Sequence, residues 1–180
     1  MELLNENKKN VLFIIAHSDF RDEEYFISRD TLERSGINVV TASSSLSPAI
    51  GVKGGEAKID ILLSDVELDD YDAIAIAGGR GIRLYFEQND LHDLIRNFNN
   101  KGKVVAAICA APVILAKAGV LSGKKATAWH TSDNMEYPED IKMFGGVFVD
   151  DDIVIDGKIV TAKNPESSKK FGEAIASLID

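Results

Sequence analysis

Short apolar runs rich in β-branched residues alternate along this chain with longer stretches whose apolar positions recur at helical spacing, and glycine or asparagine stands at most changeovers. That alternation predicts an α/β fold with a parallel sheet covered by helices, because a strand buried on both faces has no polar side and each crossover needs a helix. Val11-Leu-Phe-Ile-Ile-Ala16 reads as the first strand, and Asp19 or Asp22 is placed to cap the helix after it. Gly36 supplies that helix with a left-handed stop, and residues 37–42 follow as the second strand. Residues 43–61, punctuated by Pro48, Gly51, Gly54 and Gly55, predict a small hairpin.

Further on, residues 72–77 form a strand that runs into the turn Gly78-Gly79-Arg80-Gly81, and a helix is expected over residues 84–98. Residues 103–108 are the next buried strand, with Cys109 at its end, and residues 110–118 turn helical until Gly119. Residues 126–129 make a short strand, and residues 147–155 and 158–162 flank Asp156-Gly157, a strong hairpin signal. Pro165 opens the final helix. No repeat, low-complexity stretch or linker divides the 180 residues, so one domain over 1–180 is expected.

Composition narrows the functional classes. The net charge of −9 is spread along the chain and leaves no basic stripe, so neither nucleic acid nor an anionic membrane surface is an expected partner. The longest apolar runs are strand-sized and cannot span a bilayer. The polar segment Met1 to Asn10 lacks the apolar stretch of a signal peptide. A single cysteine makes no intrachain disulfide and excludes multi-cysteine zinc patterns; no metal or cofactor is expected, and a reducing cytoplasm is.

That cysteine, Cys109, is the chemical centre of the sequence. It stands where an apolar strand meets a helix with Pro112 in its first turn, at the edge where parallel sheets gather their sites. Helix placement there lowers a thiol's pKa. A fall from about 8.5 to about 5.5 raises the thiolate fraction roughly thirtyfold, while intrinsic nucleophilicity drops about twentyfold. Ionisation alone is therefore not catalysis, which also needs a proton-transfer partner and oxyanion donors. The N–H of Ala110 and the Gly78-Gly79 turn are candidate donors, and Glu23 or Glu24 is a candidate acid that would be most useful protonated against the sulfur. The alternative is an inert buried cysteine, with the glycines serving only as a turn and the glutamates as a solvated first turn. His17 and His130 fall at the same edge, as acid/base groups or as loop histidines bonded to backbone; His92 reads as a surface residue. Trp129 either walls a pocket or packs. The three histidines form no metal motif.

Ala106-Ala-Ile-Cys-Ala-Ala-Pro112, followed by Leu115-Ala-Lys-Ala-Gly-Val-Leu-Ser-Gly123, resembles the nucleophile elbow of the ThiJ/PfpI superfamily, which includes protein deglycases, chaperone-like proteins and intracellular proteases. The resemblance extends to Asp19-Phe-Arg-Asp-Glu-Glu24, residues 72–79 and Asp156-Gly-Lys-Ile-Val-Thr-Ala162. It implies a flavodoxin-like three-layer sandwich, a protonated glutamate (Glu24 by position) against the sulfur of Cys109, Gly78 or Gly79 with Ala110 as oxyanion donors, and a homodimer or higher oligomer. The protease branch follows its cysteine with histidine, where this chain has Ala110, so the Cys-Ala-Ala-Pro form is closer to the deglycase and chaperone branch. In that branch a histidine lies by the cysteine; ungapped alignment puts Trp129 there, with His130 one residue on. Three functions follow: a cysteine-dependent hydrolase-type enzyme acting on small carbonyl compounds or modified protein side chains, a redox sensor or chaperone-like stress protein using oxidation of Cys109, and a peptidase or amidase.

Overall fold

The computed structural model describes residues 8–179; most of the polar N-terminal segment, residues 1–7, lies outside the described residues. The chain runs β1 (Asn10–Ile14), β2 (Ser18–Phe20), α1 (Asp22–Arg34), β3 (Asn38–Ser43), β4 (Ala49–Gly51), β5 (Glu56–Ala57), β6 (Ile61–Leu62), β7 (Ala73–Ile76), α2 (Asn89–Asn100), β8 (Val104–Ile108), α3 (Pro112–Lys117), β9 (Lys125–Ala126), α4 (Glu136–Met143), β10 (Val147–Phe148), β11 (Ile153–Asp156), β12 (Ile159–Ala162) and α5 (Ser168–Ile179). Seven strands form the central sheet in the order β11-β12-β8-β7-β1-β3-β6, every pairing parallel except β11 with β12.

The apolar run of β1 is continuous because its two faces fill two cores. Val11, Phe13 and Ile15 pack with Tyr25 and Leu32 of α1 and Phe171 and Ile175 of α5. Leu12, Ile14 and Ala16 pack with Leu91 and Ile95 of α2, Ile114 of α3 and Ile141 of α4. The three-layer sandwich follows from this period-two division. Both predicted hairpins are present, as β4–β5 and β11–β12.

Several boundaries differ from expectation. The α-helix expected from residue 84 starts at Asn89, because residues 80–85 wind as a tighter 3-10 turn directly after Gly79. The segment 147–155 is two strands, split at the acidic run Asp150-Asp151-Asp152; β10 pairs with β9, and only β11 joins the hairpin. The short strand expected over 126–129 pairs only at Lys125–Ala126. Pro165 opens a 3-10 turn, and the α-helix begins at Ser168. Neither Asp19 nor Asp22 caps α1, whose N-cap is Arg21 with no side-chain cap. His92 is buried, not surface-exposed: it sits on the inner face of α2 with Nε2 3.0 Å from the Phe86 carbonyl.

Helices α1 and α5 touch at Gly172, where an added Cβ would lie 2.8 Å from the Thr31 Cβ and 3.0 Å from the Ser28 carbonyl. Alanine should gain about 1 kcal/mol of helix propensity there but lose about 1–3 kcal/mol to overpacking. Gly172→Ala is therefore expected to lower the melting temperature; a rise in thermal denaturation would show the contact to be loose.

Candidate active site

Cys109 leaves the end of β8 with φ +66, a left-handed conformation that is unfavourable for a side chain bearing a Cβ. Two backbone hydrogen bonds hold it there: its N–H donates to the Ala162 carbonyl at 2.9 Å, and its carbonyl accepts the Trp129 N–H at 2.8 Å. The turn swings the sulfur out of the sheet into a cavity of about 830 Å3 lined by Arg21, Glu24, Val52, Gly79, Arg80, Arg83, Ala110, Trp129, Tyr137, Asn164 and neighbours. A second cavity of about 550 Å3 lies past β3 and β6, lined by Ser43, Leu62, Asp90 and Asp93, and holds no nucleophile stronger than a serine.

Glu24 reaches Cys109 from the first turn of α1. Strand β7 separates β1 from β8, so the acid has to pass over the carboxyl end of β7. Residue 78 decides whether it can. A Cβ added to Gly78 would lie 2.8 Å from the Cys109 Cβ and 2.8 Å from Glu24 Oε2. Glycine leaves that gap open, and its N–H donates to Glu24 Oε2 at 2.8 Å. Glu24 is fully buried, its Oε1 accepts no hydrogen bond among the described residues, and the Cys109 side chain is the neighbouring group that acts on the carboxyl.

Burial dominates the electrostatics of this pair. Removal from water raises the Glu24 carboxyl from 4.5 to about 7, against the opposing hydrogen bonds from Cys109 and the Gly78 N–H. Burial first, then the charge and hydrogen bond of Glu24, push the Cys109 thiol well above its ordinary value, while the N–H groups of Ala110 and Gly79 pull the other way. The carboxyl thus loses its proton before the thiol. This corrects the sequence-based expectation of a thiol ionised by a helix dipole. Helix α3 has only six residues and starts three positions beyond Cys109, so few aligned peptides act on the sulfur.

Not every expected site residue converges. Gly79 and Ala110 direct N–H groups at the sulfur, whereas the Gly78 N–H is committed to Glu24. Glu23 turns outward to ion pairs with Arg21, at 2.9 Å, and Lys53. His130 does not line the cavity: its Nδ1 lies 3.0 Å from the Ala128 carbonyl, its Nε2 3.2 Å from Asp150, and its ring packs against Phe148. Trp129 takes the wall instead, its ring edge-on to Tyr137 at 6.1 Å. His17 contacts Ser47 at 3.3 Å and is not a cavity residue.

Sequence reasoning missed four contributors. Asp22 is buried and accepts the N–H groups of Lys53 and Gly55 at 2.8 and 2.7 Å, fixing the β4–β5 hairpin that presents Val52 to the cavity. Its acidic neighbours masked it as part of a charged helix start. Arg83 donates to Glu136 at 2.6 Å and to the Tyr137 hydroxyl at 3.0 Å, tying α4 across the opening. Burial raises the Tyr137 hydroxyl's pKa, keeping it a donor. Arg80 completes the rim. Only Arg80 carried a local signal, its place in the glycine turn. Among the described residues no group of three His, Cys, Asp or Glu side chains stands close enough to hold a metal ion, and no helix is long and apolar enough to cross a membrane.

A cysteine on a left-handed strand-to-helix elbow, beside a buried carboxyl at the carboxyl edge of a mostly parallel sheet, defines a class of α/β proteins with a cysteine-bearing elbow. Comparison with known proteins narrows the class to one family. Residues 9–178 match the DJ-1/PfpI family, and the chain belongs to it. It is 40% identical to an uncharacterized protein of Methanocaldococcus jannaschii, covering 97% of this chain and 85% of that one. It is 30% identical to deglycase PfpI of Pyrococcus furiosus, with 86% and 90% coverage, and 27% identical to a glutathione-independent glyoxalase of Caenorhabditis elegans, with 96% and 90% coverage. The crystal structure of a ThiJ/PfpI domain protein from Brachyspira murdochii superimposes with a TM-score of 0.89 at 30% identity, covering 96% of this chain and 98% of that one.

A carboxyl whose folded pKa is raised binds its proton more tightly in the folded state. Between 4.5 and about 7, stability therefore falls as pH rises, and the loss persists above that window. The shift corresponds to about 3 kcal/mol. Glu24→Gln, neutral and able to accept the Gly78 N–H, should raise the melting temperature by several degrees at pH 8 and by little below pH 4.5. Equal melting curves at pH 8 would mean that Glu24 is not held in a desolvated site.

Proposed function

We propose that this protein is a cysteine-dependent enzyme acting on reactive carbonyl compounds: α-oxoaldehydes such as methylglyoxal, free or as adducts on thiols and amines. The observation that carries the reading is the Glu24–Cys109 pair, in which a carboxyl with a pKa of about 7 touches a sulfur that needs deprotonating. A base poised near neutral pH balances availability against strength. The glyoxalase and deglycase names of two similar chains support the same chemistry.

In this reading ionised Glu24 takes the thiol proton as Sγ bonds to the aldehyde carbon. The carbonyl π pair moves onto oxygen, which the N–H groups of Gly79 and Ala110 hold. Glu24 returns the thiol proton to that oxygen, and the regenerated carboxylate takes the proton from the former aldehyde carbon. It delivers this proton to the adjacent ketone carbon while the hydroxyl proton passes to the former ketone oxygen, leaving a thioester on Cys109. Water cleaves the thioester, releasing an α-hydroxy acid and restoring the thiol. The net change adds one water: one carbon is oxidised from aldehyde to carboxyl while its neighbour is reduced from ketone to alcohol, so no external oxidant is needed.

The other two functions fit the geometry less well. A peptidase of the Cys-His type needs a histidine beside the cysteine, where this chain has Ala110, and both ring nitrogens of His130 are engaged elsewhere. Oxidation sensing proceeds through the thiolate, which burial disfavours here.

Lactate release from methylglyoxal tests the proposal. Cys109→Ala is expected to abolish it, and Glu24→Gln to lower kcat by about a hundredfold. Wild-type kcat should rise with pH through about 7 as Glu24 ionises. Lactate formation at an unchanged rate in Cys109→Ala would overturn the reading.

A further inference from the structure

Three arginines, Arg21, Arg80 and Arg83, line the cavity that holds Cys109, in a chain whose net charge is −9. Two have protein partners. Arg21 Nε lies 2.9 Å from Glu23, and Arg83 is held by Glu136 and Tyr137. Arg80 is exposed, and among the described residues its guanidinium forms no ion pair or hydrogen bond. The acids on the same lining are Glu24, which is half protonated near pH 7, and Glu166, exposed on the rim.

Glu23, which also holds Lys53, and Glu136 occupy Arg21 and Arg83, so Arg80 is the cavity cation whose donors are left free, opposed on the rim by the charge of Glu166. A planar guanidinium with free donors recognises an oxyanion through two parallel hydrogen bonds, and a half-enclosed cavity strengthens such a bond relative to open water. The cavity has room for it: about 830 Å3 exceeds the needs of a three-carbon aldehyde. We infer that the site selects carbonyl compounds carrying an oxyanion group, carboxylate or phosphate, and that Arg80 binds that group while Cys109 meets the carbonyl. This deepens the reading of Cys109 as a carbonyl-directed nucleophile and rests on it.

Alkylation tests the charge preference without turnover. Iodoacetate and iodoacetamide both form an S–C bond at Cys109 with loss of iodide, the thiol proton passing to Glu24 or solvent, and differ chiefly in charge. Relative to the same pair of rates on glutathione, iodoacetate should be favoured at Cys109 by about tenfold at low salt. Arg80→Gln, or about 0.5 M sodium chloride, should bring the preference to within about twofold of glutathione. Glu166→Gln should increase it. Protection of Cys109 from iodoacetamide by inorganic phosphate but not acetate would assign the phosphate class, and the reverse the carboxylate class. A wild-type ratio no higher than that of glutathione, or one unchanged in a folded Arg80→Gln, overturns the inference while leaving the nucleophile intact. Failure of both reagents in the native protein overturns the nucleophile and this inference with it.

Discussion

A carboxyl removed from water with one backbone donor cannot carry a full charge at its usual cost, and the proton it keeps has only one other place to go. In this protein that place is the sulfur of Cys109. Glu24 and Cys109 behave as a single acid with one readily lost proton, and the rest of the carboxyl edge is arranged around where that proton sits. The N–H groups of Gly79 and Ala110 favour charge on sulfur, and the Gly78 N–H favours charge on the carboxylate. In the proposed reaction, a substrate carbon that accepts the sulfur's electrons would draw the shared proton onto Glu24.

Holding such a pair is a demand on the scaffold. The two residues come from opposite sides of β7, so their meeting depends on the missing side chain at position 78. The elbow is strained and is kept by bonds to β12, the neighbour of β8 in the central sheet, and to the segment after β9, which belongs to a separate two-stranded sheet. Asp22, two residues before Glu24 in the same turn, spends its carboxylate on two amides of the β4–β5 hairpin and so fixes a wall of the cavity. Position, burial and charge thus come from different segments of the sequence.

The layers and the elbow were legible because they depend on local pattern. Runs such as residues 11–16 and 103–108 are apolar on both faces, and Cys109-Ala-Ala-Pro112 is a short motif with a mechanical meaning. The parts that were misread depend on contacts distant in sequence. His92 looks polar among charged neighbours, yet one carbonyl from Phe86 lets it be buried. The thiol's pKa was expected to fall because a helix follows it; the length of that helix and the depth of the sulfur decide the sign, and neither is written in the motif. His130 and Trp129 differ by one position, and in the irregular segment after β9 it is the tryptophan that lines the cavity. The arginine rim joins residues 21, 80 and 83, which only folding brings together.

The two edges of the sheet carry a consequence for aggregation. On one side the terminal strand is β6, two residues long; on the other it is β11, four residues long and entered through Asp150-Asp151-Asp152. Neither offers the long, uncharged ladder that a neighbouring molecule needs to extend a sheet by backbone pairing. Both edges therefore disfavour open-ended stacking of strands between molecules.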